Sequence, residues 1–485
     1  MTDSGWSCRA VFFDGVEKTR GSGCSSIGRR RRPPQHEPSR VGGYASATAA
    51  VNQEARTRRQ AISTHAAHEA DSRYAHLRLL VTLALMTVGS AGMYVVAVML
   101  PAVQAEFGVA RADASLPYTA LMIGFGVGGV VMGRLADRYG VMVPLLIGAV
   151  SLCTGFIASG LATGIGSFTL AQGLFIGLLG SSASFAPLVA DTSLWFVKRR
   201  GMAVAVCASG NYVAGAIWPP IVQHMVATVG WRHTCIGLGI FSGLVMASLA
   251  LLMRPRPPAA VAAAPKAGAA HRVVPSMRPF GLSLAQAQGV LCVAGTACCV
   301  AMAMPQVHIV AYCGDLGYGV ARGAEMLSLM LACGIVSRLV SGAICDRIGG
   351  IRTLLLGSVL QGTALLLFLP FDGLVSLYLI SALFGLFQGG IVPSYAIIVR
   401  EHFPPAEAGA RVGTVLMFTL LGMALGGWMS GKIFDLTGSY QAAFVNGIAW
   451  NLLNGGIAAW LLWRTKRPHP PQPPGGIGRH AGLAA

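Results

Sequence analysis

The chain has 485 residues, of which 54% are hydrophobic and only 11% are charged, and its mean hydropathy is +0.61. Soluble domains carry about 25% charged residues, so this chain has too few charges to solvate a large globular surface. The net charge of +18 does not indicate nucleic-acid binding, because the basic residues concentrate in the first 75 positions, the tail and short loops between apolar runs. This composition is typical of a membrane protein.

Residues 1–75 form a basic segment with no helical or strand periodicity, in which Arg29 to Arg32 precede two prolines. We predict a disordered leader, and the absence of an apolar core excludes a secretion signal. A start codon placed too far upstream would account for the same segment, with the chain beginning near residue 75.

From residue 79 onward, apolar runs of about 20 residues follow one another, each long enough to cross a bilayer. Inside the hydrocarbon no water satisfies backbone groups, so these runs must be helices. We predict twelve of them, at 79–103, 114–135, 141–161, 166–190, 201–225, 232–253, 285–309, 324–344, 351–370, 374–398, 410–431 and 440–463.

These helices predict an all-α membrane protein with two pseudo-symmetric six-helix bundles. The bundles span 76–253 and 285–463, and a proline-containing cytoplasmic linker at 254–284 joins them. Residues 464–485 would form a disordered cytoplasmic tail.

Basic residues concentrate in alternate loops, and this asymmetry assigns those loops to the cytoplasm. The cytoplasmic set comprises Arg134, Arg138, Lys198, Arg199, Arg200, Arg254, Arg256, Lys266, Arg272, Arg278, Arg347, Arg352, Arg400, Arg411, Arg464, Lys466 and Arg467. The opposite loops carry only Arg111, Arg232, Arg322 and Lys432. We therefore expect both termini in the cytoplasm and a multi-pass location in the cell (inner) membrane.

A charged hairpin with the frame G-x-x-x-D-R-x-G occurs twice between apolar runs. The first copy spans 133–140, and the second, 209 residues later, spans 342–349. A second landmark supports a duplication, because Gly230 opens the sixth helix and Gly438 opens the twelfth, 208 residues apart. Two landmarks with nearly one offset indicate two parallel halves, which is a transporter architecture.

The repeated hairpin resembles the signature loop of the major facilitator superfamily. That resemblance implies the major facilitator fold, a monomer, and a gating role for the residues of both copies. The predicted gating residues are Gly133, Asp137, Arg138, Gly140, Gly342, Asp346, Arg347 and Gly349. Asp137 and Asp346 are placed to accept from the free N–H groups that begin the following helices.

A second resemblance covers the entry to the fifth helix. The segment 195–203 (WFVKRRGMA), followed by Asn211, Tyr212 and the pair Pro219-Pro220, resembles the monocarboxylate transporter and oxalate/formate antiporter branch. The stretch 431–440 (GKIFDLTGSY) resembles that branch too. With the helix pattern, the resemblance covers residues 79–463, and it implies a small organic anion as substrate.

Arg338 lies in the middle of the eighth predicted helix, where a charged side chain is costly and usually faces a cavity or a partner. Its planar guanidinium matches a carboxylate. In the resembled branch, an arginine at this place is implicated in substrate binding and an aspartate stands four residues earlier, where this chain has Gly334. An arginine that reaches the inner membrane surface is the alternative.

Other polar residues within the apolar runs are candidates to line a central cavity, or to bond a neighbouring helix. The substrate-binding candidates beside Arg338 are Asn211, Tyr212, His308, Gln388 and Tyr395.

These features predict a secondary transporter of a small mono- or dicarboxylate that works by alternating access. A proton or a counter-anion remains open as the coupled species. Efflux of hydrophobic compounds and a membrane sensor on a transporter fold are the alternatives. No nucleophile–base or metal-ligand constellation occurs, so we expect neither an enzyme nor a cofactor.

Overall fold

The computed structural model describes residues 71–197, 200–255, 279–404 and 407–466. The described chain is almost entirely helical. The predicted leader lies almost wholly outside the described residues, as do most of the linker and the tail, and their boundaries stay predictions.

Ten helices in the described part of the chain are long and apolar enough to cross a membrane. One of them, Arg200–Leu252, contains Gly230 with φ 81° and ψ 159°, so it consists of two consecutive helices. A further helix, Tyr440–Lys466, ends the described chain. Each of the twelve predicted segments therefore has a helical counterpart.

We label these helices α1 to α12 in chain order. Their bounds are α1 Arg73–Phe107, α2 Arg111–Tyr139, α3 Met142–Gly160, α4 Ile165–Trp195, α5 200–229, α6 231–252, α7 Leu284–Asp315, α8 Val320–Ile348, α9 Gly350–Leu367, α10 Leu374–His402, α11 Ala408–Thr437 and α12 Tyr440–Lys466. A short 3₁₀ turn, Pro279–Gly281, precedes α7.

Three of the helices are interrupted. Helix α1 is interrupted at Ser90, between Arg73–Gly89 and Ala91–Phe107. Helix α4 runs as Ile165–Leu170, a π-helical Ala171–Gly180, a 3₁₀ Ser181–Ser184 and an α-helical Ala186–Trp195. Helix α10 consists of Leu374–Gln388 and Ile391–His402.

The duplication is visible in the helix bounds. Helices α2 and α8 both contain 29 residues, and both ends of α8 lie 209 positions after those of α2. Each is followed by a glycine in nearly the same conformation, with φ 87° and ψ 164° at Gly140 and φ 84° and ψ 163° at Gly349. Because L-residues rarely adopt this positive φ, glycine is required at both turns.

The bundle has two ends, which we name by their residues. The hairpin face contains Gly140 and Gly349, together with the ends of α4 and α6. The latch face contains Arg111 at the start of α2 and Asp435 near the end of α11, whose carboxylate accepts from the Arg111 N–H at 2.8 Å.

The first six and last six helices touch mainly along two lines, α2 against α11 and α5 against α8, and the second part of α1 also contacts α7. On α2, Thr119 Oγ1 donates to the Ala424 carbonyl at 3.0 Å, and Gly126 lies beside Leu420. On α5, the Ala216 carbonyl accepts from the Ser328 hydroxyl. These contacts lie at mid-depth and towards the latch face.

Towards the hairpin face the same helix surfaces separate. A Cβ atom placed on Gly129, Gly133, Gly201, Gly342 or Gly413 would have no other atom within 4 Å. Gly129 and Gly133 follow Gly126 at helical spacing, so they lie on the surface of α2 that meets α11 one turn earlier. The space between the two bundles is therefore closed at the latch face and open at the hairpin face.

Candidate functional site

Arg338 of α8 contacts α5 closer to the hairpin face than the hydrogen bond between Ser328 and Ala216. Its Nη1 donates to the Ala208 carbonyl at 2.9 Å, and its guanidinium carbon lies 4.3 Å from the centre of the Tyr212 ring. No described Asp or Glu forms an ion pair with it, and its buried Nε has no hydrogen-bond partner. The Nε and Nη2 edge of the guanidinium therefore makes no hydrogen bond with a described residue, and Nε is shielded from solvent.

Tyr212 lies against Arg338, and Asn211, its neighbour in the chain, faces α1. The Asn211 Oδ1 accepts from the Tyr94 hydroxyl at 2.6 Å, which ties α5 to α1. The Tyr212 hydroxyl makes no hydrogen bond with a described residue. Arg338 and Tyr212 therefore come together, and Tyr94, which the sequence analysis did not select, is the partner of Asn211.

His308 lies at a different place. Its Nε2 is 2.8 Å from the Gly427 carbonyl and its Nδ1 is 3.1 Å from the Tyr440 hydroxyl. A carbonyl oxygen can only accept, so Nε2 carries the hydrogen and Nδ1 accepts from Tyr440. His308 is fully buried, and it connects α7 to α11 and α12 below the latch face.

Gln388 and Tyr395 are fully buried within the second bundle. Gln388 Oε1 accepts from Gln306 Nε2 at 2.9 Å, and the Tyr395 hydroxyl donates to Asn454 Oδ1 at 2.7 Å. Both side chains bond neighbouring helices, and neither contacts Arg338. Their role as substrate ligands stays a prediction.

The latch face is held by a charged network that the sequence analysis missed. The Asp435 carboxylate accepts from the backbone N–H groups of Arg111 at 2.8 Å and Ala112 at 2.7 Å. The Arg111 guanidinium bonds Asp315 at 3.1 Å and the Tyr440 hydroxyl at 2.8 Å. A negative charge at the start of α2 also favours the helix dipole. Arg111 belongs to the first bundle and its partners to the second, so this network closes the latch face.

The predicted gating residues at the hairpin face are not engaged with one another. Asp137, Arg138, Asp346 and Arg347 are exposed and make no hydrogen bond or ion pair with any described residue. The N–H of Gly350, which begins α9, donates to the Glu401 carboxylate at 3.2 Å. Neither Asp137 nor Asp346 accepts at the start of the following helix, as the sequence had led us to expect; at α9 the acceptor is Glu401 of α10.

A second missed pair lies at the hairpin-face end of the first bundle. Arg78 of α1 makes a two-bond ion pair with Asp191 of α4, with 2.9 Å from Nε to Oδ2 and 3.1 Å from Nη2 to Oδ1. The guanidinium also stacks on Trp195 at 4.7 Å. Both charged side chains are buried, so the pair ties α1 to α4. Asp191 directly follows the apolar run 166–190, and an acid so close to the hydrocarbon was the signal that could have identified the pair.

Comparison with known proteins agrees with the helix pattern. The model of the Major Facilitator Superfamily matches residues 82–380 and 326–482. The chain belongs to the major facilitator superfamily. It is thus a multi-pass membrane transporter and not an enzyme, and its helices form the two six-helix bundles of the superfamily.

Among relatives, bovine monocarboxylate transporter 13 is 26% identical over 336 residues, 69% of this chain and 76% of the relative. The agnestins efflux protein AgnL12 of Paecilomyces divaricatus is 24% identical over 336 residues, 69% of this chain and 74% of the relative. A solved structure of a bacterial homologue of the human lysosomal transporter Spinster, inward-facing and occupied, superposes with a TM-score of 0.60 at 13% identity. It covers 81% of this chain and 97% of that one, and it supports the superfamily fold.

Proposed function

We propose that this superfamily member is a secondary transporter of a small organic anion, with a mono- or dicarboxylate as its substrate. The observation that carries the proposal is Arg338, which lies where the two bundles meet and whose Nε and Nη2 make no hydrogen bond with a described residue. These two N–H groups lie side by side and match the two oxygens of a carboxylate. An unpaired, partly buried arginine is also costly, so an anion stabilises the site.

Transport would proceed by rocking of the two bundles about this site. The latch-face network would close one side, as seen here, and the two charged hairpins would close the other after the bundles tilt. The excess of basic loops supports a cytoplasmic hairpin face in the cell membrane, so the present conformation would be inward-open. Asn211 and Tyr212 would border the substrate beside Arg338.

Uptake into proteoliposomes tests the proposal, with labelled L-lactate, pyruvate, oxalate and succinate as the panel. We expect Arg338→Ala to lower uptake at least about tenfold, and Arg338→Lys to fall in between because it keeps the charge without the planar fork. Arg322→Lys is the matched control, since Arg322 is an exposed arginine on the same helix. Normal uptake by Arg338→Ala would exclude the assigned role.

Efflux of hydrophobic compounds is the second candidate, favoured by the efflux protein among the relatives. The sequence opposes it, because the drug-antiporter branch often has an arginine in the fourth helix where this chain has Gly173. A Cβ atom on Gly173 would already meet Ala120 Cβ at 2.9 Å, so no longer side chain fits there without rearrangement. A drug-susceptibility panel on an overexpressing strain separates the two: resistance that requires the protein would favour efflux.

A further inference from the structure

The space under the Arg338 guanidinium is filled by a ring from the other bundle. Helix side chains lean towards the N-terminus, so the Arg338 side chain lies over the preceding turn, where Gly334 stands. The ring of Tyr212 occupies that position, and a Cβ atom on Gly334 would overlap with its Cδ1 and Cε1 atoms. Any other residue at 334 would displace the ring.

The ring and an anion would use different parts of the guanidinium. Tyr212 lies against its face, 4.3 Å from ring centre to guanidinium carbon, where the negative face of an aromatic ring attracts a cation. The Ala208 carbonyl accepts a hydrogen bond from Nη1. A carboxylate binds in the guanidinium plane, along the edge of Nε and Nη2. Ring and carboxylate can therefore be bound at the same time.

An acidic partner would behave differently. A carboxylate side chain one turn before Arg338 would compete with the substrate for the same in-plane N–H groups. Gly334 has no side chain, so this competition does not arise here. The Tyr212 ring attracts the Arg338 guanidinium without adding a negative charge. The ring also limits the rotation of the guanidinium, which reduces the entropy lost when an anion binds.

We infer that Tyr212 and Gly334 form a matched pair whose function is to position the free edge of Arg338 for a carboxylate. Tyr212 is a positioning residue, and its ring fits beside Arg338 because residue 334 has no side chain. This inference rests on the proposed function, since it concerns the same site.

The pairing can be tested without a substrate, from the thermal unfolding midpoints of Gly334→Ala, Tyr212→Ala and the double variant. We expect Gly334→Ala to lower the midpoint in the wild-type background and to leave it unchanged when Tyr212 is already alanine. Gly289→Ala is the matched control, because Gly289 is an exposed helical glycine with open space beside it. An equal loss from Gly334→Ala in both backgrounds would refute the pairing.

The positioning role is tested by uptake kinetics with whichever labelled carboxylate of the panel gives the highest uptake. We expect Tyr212→Phe to keep KM within about threefold of the wild-type value, because the ring face remains. Tyr212→Leu should raise KM about tenfold and leave the maximal rate within about twofold. An unchanged KM in Tyr212→Leu, or an equal rise in Tyr212→Phe, would overturn the role.

The two levels of proposal fail in different ways. If Arg338→Ala transports normally, the proposed function fails, whatever Tyr212 does. If Arg338→Ala abolishes uptake but Tyr212→Leu has a normal KM, only the positioning role fails.

Discussion

At the latch face, residues at equivalent positions of the two bundles make different hydrogen bonds and ion pairs. In the first bundle, Glu106 accepts from Arg232 at 2.8 Å and from Trp231 Nε1 at 2.5 Å, so its charge is neutralised within its own bundle. In the second, the residue 209 positions after Glu106 is Asp315, and its cation is Arg111 of the first bundle, at 3.1 Å.

Two substitutions between the repeats account for the difference. Counted from the helix starts, α6 at 231 and α12 at 440, the position equivalent to Arg232 is Gln441, which carries no charge, and the position equivalent to Trp231 is Tyr440. Asp315 therefore lacks a local cation, and the Tyr440 hydroxyl offers Arg111 an acceptor. The ion pair of the first repeat stabilises its own bundle, while the ion pair of the second stabilises the contact between the two bundles. Small changes in a duplicated sequence can thus turn a structural ion pair into one that depends on conformation.

The largest effect is expected from Arg111→Met, which removes the cross-bundle cation and its contacts to Asp315 and Tyr440. Hydrogen bonds to charged groups contribute about 1.5–3 kcal/mol each, so the latch face should open in a much larger fraction of molecules. The measurement is maleimide labelling in detergent of a Ser115→Cys reporter, which is fully buried against Gly431. We expect the labelling rate to rise at least about tenfold.

Arg232→Met is the matched control for that variant, because it breaks the equivalent pair in the first bundle. Labelling of the reporter should stay at the wild-type rate, and the thermal unfolding midpoint should fall. If both arginine variants open the latch face equally, the proposed division of roles is wrong.

Arg232→Met should also destabilise the first bundle. Arg232 bonds Glu106 and the carbonyls of Gly160 and Ala162, at 3.0 and 2.7 Å, so it joins α1, α3 and α6. Because about a third of its side chain is exposed, we expect a loss of only about 1–2 kcal/mol in unfolding free energy. Arg322→Lys should leave the unfolding midpoint unchanged, and the same result for Arg232→Met would contradict the prediction.

Tyr440→Phe tests the aromatic position at which the second repeat has a hydroxyl and the first repeat has Trp231. It removes the hydroxyl that accepts from Arg111 and donates to His308 Nδ1, and it leaves a buried ring nitrogen unpaired. A buried polar group without a partner costs about 1–3 kcal/mol, and part of this cost weakens the closed latch face. We expect reporter labelling to rise by about threefold to tenfold. No change would mean that the hydroxyl does not contribute to closure.

The smallest effect is expected from Gln441→Arg, which restores the residue of the first repeat. Residue 441 is exposed, and exposed ion pairs contribute about 0.2–1 kcal/mol. A local cation beside Asp315 would compete with Arg111, so reporter labelling should rise about twofold and return to the wild-type rate at high salt. Slower labelling than in the wild type would show that the added charge strengthens closure instead.

Much of the fold follows from the order of residues. The twelve apolar runs coincide with the twelve helices, and the offset of 209 recurs in the bounds of α2 and α8. The contact between Tyr212 and Arg338 was partly predictable, because a charge inside an apolar run is conspicuous. His308 was selected for the same reason, yet it bonds Tyr440 and Gly427, since helical periodicity does not reveal which neighbour a buried side chain meets.

The sequence alone determined the membrane setting, the helix count and the duplicated architecture, because hydropathy and repeat spacing are properties of the chain order. The tertiary structure decided which charges meet: Arg111 with Asp315 and Asp435, Arg78 with Asp191, and Arg338 with a ring instead of an acid. Those contacts join residues separated by more than a hundred positions. Their distances depend on how the helices pack, which no local pattern in the sequence specifies.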